Sequence, residues 1–332
     1  MNVGSEGEVL LHPISADQPC GQNLEDTPLL ASFDTFRLFG QSTPLDPAPE
    51  WGEIRDSASA ALQKSKDLRL LAHLACAALR TDGLPAFAQV LTVAAEWLGR
   101  YWAQVYPLVD EDAILRRSAL NCFADQMAVI DGVRRTPLVD SRQHGRFSLR
   151  DFDIASGQLQ PPAGEARPDE GRINAAFATM PLDDLARMQQ SAAAALAALQ
   201  RIDSLMRDGG GPGAAPSFDA LSAPLGRIDR ILRVQLAARP NAGADTAPAA
   251  VESAAAAAPL VTVAAIRSRE DAIRALDAVA EFFRHSEPSS PIPLFVDRAK
   301  RLVSKDFFEV LADIAPDALA QARAAGGLRD GE

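Results

Sequence analysis

Apolar residues recur at helical spacing through most of this chain. After a Pro-, Gly-, Asp- and Ser-rich stretch from Ile14 to Pro49, with one short helix-like piece around Leu29 to Phe39, the pattern from Trp51 onward turns helical. Leu68, Leu71, Leu74, Ala75 and Ala78 share one stripe, which Asp82-Gly83 closes. Phe87, Val90, Leu91, Ala94, Trp97, Leu98 and Tyr101 make the clearest amphipathic helix of the first half, with Pro85 in its first turn and Pro107 as its stop. A further helix is predicted from about Asp112 to Arg135, using Leu115, Leu120, Phe123, Met127 and Ile130. Between Pro137 and Gly157 the period shortens. Phe147 and Leu149 alternate with Ser148 and Arg150, and Phe152 and Ile154 with Asp151 and Asp153, which predicts one or two short strands. Helical spacing returns at Leu182, Leu185, Met188, Ala192, Ala195, Leu199, Ile202 and Met206, and the run Gly209-Gly210-Gly211-Pro212-Gly213 breaks it. A second helix to Ala238, with Ile228, Ile231, Leu232 and Gln235 on one side, is expected to fold back as an antiparallel hairpin.

From Arg239 to about 260 the chain is almost only Ala, Pro, Gly, Asn, Asp, Thr and Ser. Such a stretch offers too few large side chains to offset the entropy of ordering it, and as a flexible tether its ends would lie roughly 25 Å apart. Beyond it, three short helices are expected. The first buries Ile273, Leu276, Ala280 and Phe283 and ends near His285, and the second carries Leu294, Phe295, Ala299, Leu302 and Val303. Asp306 caps the third, whose face is Phe307, Val310, Leu311 and Ile314. The predicted class is therefore mainly α with a short β segment. The organisation is an N-terminal domain over 8–157, a helical hairpin extension over 158–238, a flexible linker over 239–260 and a small three-helix domain over 261–325. The last has a thin core for a free-standing unit, which favours burial in an oligomer.

Composition sharpens this picture. Of the 332 residues 62 are Ala, so the 47% hydrophobic fraction overstates the supply of bulky core groups and points to closely packed helices. A net charge of −11 argues against nucleic acid and anionic membranes as partners, because both need clustered basic charge. Cys20, Cys76 and Cys122 lie far apart with no paired spacing, which is neither a disulfide framework nor a zinc site. The chain shows neither a secretory leader pattern nor a run of apolar residues long enough to span a bilayer, which predicts a cytoplasmic location.

Catalytic constellations are not apparent. His12, His73, His144 and His285 have no spacing to one another or to cysteine that suits ligation, and His73 within Ala and Leu reads as a structural histidine. Asp110-Glu111-Asp112 and Asp183-Asp184 read as acids favoured at helix N-termini, and Arg116-Arg117 and Arg134-Arg135 as solvated helix ends. The triple glycine lacks the lysine and the leading strand of a phosphate loop and reads as a connector. No enzyme activity, cofactor or metal is expected. One segment exceeds what a helical turn needs. His285 to Val303 sets Pro288, Pro291 and Pro293 with Glu287 and Arg298 between two helices, and prefixed prolines present a shape without an ordering cost.

That segment, Glu287-Pro-Ser-Ser-Pro-Ile-Pro-Leu-Phe-Val-Asp-Arg-Ala-Lys-Arg-Leu-Val303 followed by Lys305-Asp-Phe-Phe-Glu-Val-Leu-Ala-Asp-Ile-Ala-Pro316, resembles the C-terminal signature of short-form TssA proteins of type VI secretion systems. Pro13-Ile-Ser-Ala-Asp-Gln-Pro-Cys-Gly-Gln-Asn-Leu24, Tyr106-Pro-Leu-Val-Asp110 leading to Leu115-Arg-Arg-Ser-Ala-Leu120, and Gly145-Arg-Phe-Ser-Leu-Arg-Asp-Phe-Asp-Ile-Ala-Ser-Gly157 are similar to the ImpA-type N-terminal domain of that family. Position 295 is Phe where the signature has Leu, and position 308 is a second Phe; both keep the site apolar. The resemblance implies a cytoplasmic structural component of a contractile injection machine. Such a protein forms a ring as a homo-oligomer, joins the baseplate, and helps start or coordinate assembly of tail tube and sheath. The expected interface residues are Phe283, Glu287, Pro288, Pro291, Pro293, Phe295, Arg298, Phe307 and Leu311. Two alternatives stay open: a monomeric helical adaptor binding one partner, and a metal-dependent hydrolase that would need Asp110, Asp112 and His73 to converge.

Overall fold

The structure, a computed structural model, describes residues 3–44, 48–109, 113–162 and 164–239, and beyond them 273, 276–277, 279–281, 284 and 291–303. The chain divides into two compact units, Met1–Ala247 and Pro248–Glu332. The linker expected over 239–260, the third C-terminal helix, His285 and the acids at 110–112 lie outside the described residues, Arg239 excepted.

In the first unit, α1 (Val3–Leu11) leads through a packed loop to α2 (Pro28–Ser32), which continues as a 3-10 turn over Phe33–Phe36. Thr27 starts α2, its Oγ1 accepting from the Leu30 amide, and Pro28 fits the first helical turn. The loop is held by its few large apolar residues, since Leu24, Phe33 and Leu38 are all buried. Next come α3 (Trp51–Leu62), α4 (Leu68–Thr81) and α5 (Leu84–Arg100). Asp67 caps α4 by accepting from the Arg69 amide, and Gly83 turns the chain into α5 at φ 84°, a conformation that favours glycine. The stripe read on α4 understates its role. All of it but Arg69, Arg80 and Thr81 is buried, because α3, α5 and α6 (Ile114–Asn121) surround it. Its Ala and Leu content suits the centre of a bundle better than a two-faced surface helix.

Three local expectations are corrected. The helix beginning at Pro85 stops at Arg100 rather than at Pro107, and Tyr101–Val105 turns back on itself before a cis Tyr106–Pro107 bond. The single helix expected from Asp112 to Arg135 is α6, a 3-10 turn (Cys122–Ala124), a π turn (Gln126–Ile130) and α7 (Asp131–Arg135). Asp125 makes the break. It is extended, at φ −60° and ψ 136°, and its Oδ1 accepts from the amides of Met127 and Ala128 at 3.0 and 2.8 Å, while Oδ2 accepts from Gly40 N at 2.8 Å. An Asp that bonds the backbone ahead of it competes with the helix it interrupts. Finally, among the described residues only β1 (Pro137–Ser141) and β2 (Gly145–Ser148) are strands, paired antiparallel. The alternating residues from Leu149 to Ile154 belong to α8 (Leu149–Ala155), which Ser148 and Asp151 start as a reciprocal capping box.

A helix without a sequence expectation, α9 (Glu170–Thr179), precedes α10 (Leu182–Gly210), whose 29 residues extend about 43 Å. The glycine run does end α10, at Gly211 with φ 83°, yet Gly209 and Gly210 are helical. A Cβ on Gly209 would collide with the Trp102 ring, so the glycine there permits close packing. The partner helix α11 (Asp219–Ala237) folds back on α10, with Gln189 Nε2 donating to Asp229 Oδ1 at 2.8 Å. Both helices share one continuous core with the N-terminal bundle. Buried Leu185, Leu199 and Ile202 belong to the same cluster as Leu91, Trp97 and Leu98, and α10 packs along α5. Buried Asp153 adds a polar tie, its two oxygens 3.0 Å from Arg134 and 2.9 Å from Arg227 of α11. Among the described residues the protein is mainly α with one small sheet, as the residue pattern predicted.

Candidate interaction surfaces

Two buried cations organise the N-terminal unit. Lys66, 2% exposed, donates from Nζ to the carbonyl oxygens of Leu10 at 2.6 Å and His12 at 2.8 Å, and lies 4.8 Å from the Trp97 ring centre. Trp97 Nε1 also donates to Leu10 O, at 2.8 Å, so the end of α1 is fastened to α5. Burial lowers the Lys66 ammonium from its ordinary 10.5 to about 8, and raises the nearby Cys20 thiol to about 11. Arg116 was expected at a solvated helix end. It is instead fully enclosed, donating to the carbonyl oxygens of Trp102, Val105 and Pro107 at 2.7–3.1 Å, with its guanidinium 4.8 Å from the Trp102 ring centre. The planar fork spreads these bonds over Nε, Nη1 and Nη2, and so reaches carbonyls at Trp102, Val105 and Pro107 that a single ammonium nitrogen could not reach together. This gives a physical reason for the Tyr106-Pro and Leu115-Arg-Arg motifs to occur together. The signal that could have found it is the run of carbonyls a tight turn leaves without helical partners.

Beside this core, α2, its 3-10 extension and the start of α4 enclose a groove of about 740 Å³. Phe33 and Phe39 flank His73 edge-on, with ring centres 5.0 and 4.9 Å away. His73 is the structural residue the sequence suggested. It is buried, its Nδ1 lies 3.0 Å from the Arg69 carbonyl oxygen, and burial pushes its pKa below the ordinary 6.5, so at neutral pH it donates as an uncharged ring. Asp110 and Asp112, which a hydrolase would set beside it, lie outside the described residues, and among the described residues no cluster of His, Cys, Asp and Glu is arranged to hold a metal ion.

The second unit places four of the expected interface residues. Pro291 precedes α12 (Ile292–Val303), its carbonyl accepting from Leu294 N at 3.1 Å, and Pro293 lies in the first turn. Val296 of α12 is buried, as is Ala280 among the helical residues before it. Arg284 and Asp297 pair at 2.8 Å, and Lys300 pairs with Asp277, so α12 is joined to that preceding helical stretch. Leu294 and Phe295 point away from these contacts, 74% and 67% exposed, and Arg298 is exposed beside them. Phe283, Glu287, Pro288, Phe307 and Leu311 lie outside the described residues.

Comparison with known proteins bears on both units. The family described as "ImpA, N-terminal, type VI secretion system" matches residues 11–125, which hold both buried cations and the groove. The chain is 34% identical to the type VI secretion system component TssA1 of Pseudomonas aeruginosa, over 94% of this chain and 96% of that protein. It belongs to the TssA family. A solved N-terminal domain, including the conserved ImpA_N region, of the type VI secretion TssA component from Burkholderia cenocepacia has the same fold, at a TM-score of 0.55 and 21% identity. That match covers 71% of this chain and 94% of the solved one. This TssA-family chain therefore has a structural role in a type VI secretion system. Among the described residues no helix is long and apolar enough to cross a membrane.

Proposed function

We propose that this TssA-family protein self-assembles into a ring through its C-terminal unit, works in the cytoplasm at the baseplate of the secretion apparatus, and helps start or coordinate assembly of the tail tube and sheath. The observation that carries this reading is the outward face of α12. A helix of 12 residues that leaves a leucine and a phenylalanine more than half exposed, while its other side is bound to its neighbour, carries apolar surface that association would remove from water. In a ring, many weak contacts made by the N-terminal units act together at high effective concentration. Glu287, Pro288, Phe307 and Leu311 belong to the same proposed surface through the signature motif they share with Phe295 and Arg298, and Phe283 through the apolar stripe just ahead of that motif. The role is structural, with no turnover of a substrate.

Sedimentation velocity on the full chain tests the proposal. The wild type should sediment well above its monomer mass of 35.3 kDa. Phe295→Asp and Phe307→Asp should each return it to that mass with the N-terminal unit still folded by circular dichroism. A wild type that stays monomeric at high concentration refutes the ring and leaves the single-partner adaptor in its place. The double substitution Pro291→Ala and Pro293→Ala separates two roles of the turn: intact assembly without baseplate association makes it a partner surface, and lost assembly makes it part of the ring.

A further inference from the structure

We propose that the groove between α2 and the first turns of α4 is a docking site for a segment of another protein that presents an aromatic or aliphatic side chain beside lysine or arginine. The site lies in the N-terminal unit and does not depend on the ring.

Its volume of about 740 Å³ accommodates two or three side chains, within the usual range for ligand pockets. The walls are apolar where Leu30, Phe33 and Phe39 face the groove, and His73 between the two phenylalanines is uncharged at neutral pH. A planar or branched apolar group can therefore enter without stranding a charge.

Charge decides the rest. Glu25, Asp26 and Asp34 line the opening, all exposed. The cation that lines it, Arg69, is already engaged: buried Asp67 accepts from its Nε at 3.1 Å and its Nη2 at 2.8 Å, and Glu25 lies 3.7 Å away. Arg69 thus offers little to an anion, while Asp26 and Asp34 remain to receive cationic groups. Phosphates, acidic peptides and anionic lipid surfaces would meet like charge, and a neutral apolar ligand would leave the carboxylates unused. Cys122, on the same lining, contributes as a protonated thiol, raised by burial to about 11.

The test uses the full chain and a fluorescein-labelled peptide, Gly-Lys-Phe-Lys-Leu-Lys-Gly, followed by fluorescence anisotropy. Saturable binding is expected. Replacing the lysines by glutamates, or the phenylalanine and leucine by serines, should weaken it about tenfold or more. Ala31→Trp, at an exposed position of α2 that lines the groove, should fill the space and abolish binding with melting and sedimentation unchanged. Asp26→Asn with Asp34→Asn should weaken binding and flatten its salt dependence. Three outcomes overturn the proposal: no saturable binding, equal binding of the glutamate peptide, or full binding by Ala31→Trp. The last would place the peptide on the generally acidic surface of a chain carrying −11 charges.

Discussion

Arg116 and Lys66 are cations in the core that donate to backbone carbonyls. Each satisfies oxygens that a turn or a helix end leaves unpaired, and removing such a donor strands buried acceptors at about 1–3 kcal/mol apiece. Arg116→Leu should therefore lower the urea midpoint of the N-terminal unit sharply, and Arg116→Lys should recover only part of it, because a point charge cannot reach the carbonyls of Trp102, Val105 and Pro107 together. Lys66 carries a pH signature. Its folded pKa of about 8 lies below its ordinary 10.5, so between these values the unfolded chain binds more protons and stability rises with pH. Cys20, raised from 9.0 to about 11, acts in the opposite sense above pH 9. The Lys66 effect should accordingly be read from pH 8 to 9, as a slope in unfolding free energy that Lys66→Met removes. An equal slope in the variant would show that Lys66 is not its source. Neither cation was legible in the sequence, where Arg116 looks like any arginine on an amphipathic helix. Its environment comes from a turn folded over it, not from its neighbours in the chain.

At the scale of the element, the interrupted segment from Ile114 to Arg135 shows how one residue overrides a period. Its apolar spacing is helical throughout, and the sequence predicts one helix. Asp125 instead caps the π turn and reaches across to Gly40, tying this segment to the loop that precedes α3. Asp125→Ala should cost about 1–2 kcal/mol, the usual range for a lost cap, and should raise hydrogen exchange at Gly40 as well as at Met127 and Ala128. Raised exchange confined to 127 and 128 would mean that the tie to the loop contributes nothing. The strand expected over Leu149 to Ile154 failed for a related reason. Alternation over six residues suits either a strand or a short helix with buried polar positions, and Asp153 is buried because Arg134 and Arg227 surround it. By contrast, the helices with long stripes, α5 and α10, lie close to where their periodicity puts them, since burial of one face repeats over many turns and outweighs any single residue.

For the whole molecule, the separation into two units follows from composition. The Ala- and Pro-rich stretch over 239–260 supplies little to pack against either side, and limited elastase digestion of the native protein should cut first within it. Intact-mass measurement should then give a fragment ending between residues 239 and 260; first cleavage elsewhere would contradict the tether. The sequence by itself determined the mainly helical class and the family, because helical period and contiguous motifs are local properties of a chain. Only the tertiary structure decided that α10 and α11 share the core of the N-terminal bundle, that Lys66 and Arg116 are buried, and that Phe33, Phe39 and His73 meet in a groove edged with carboxylates. Those facts depend on which distant segments pack together, and a carbonyl, a ring or a carboxylate acquires its partners only once that packing is complete.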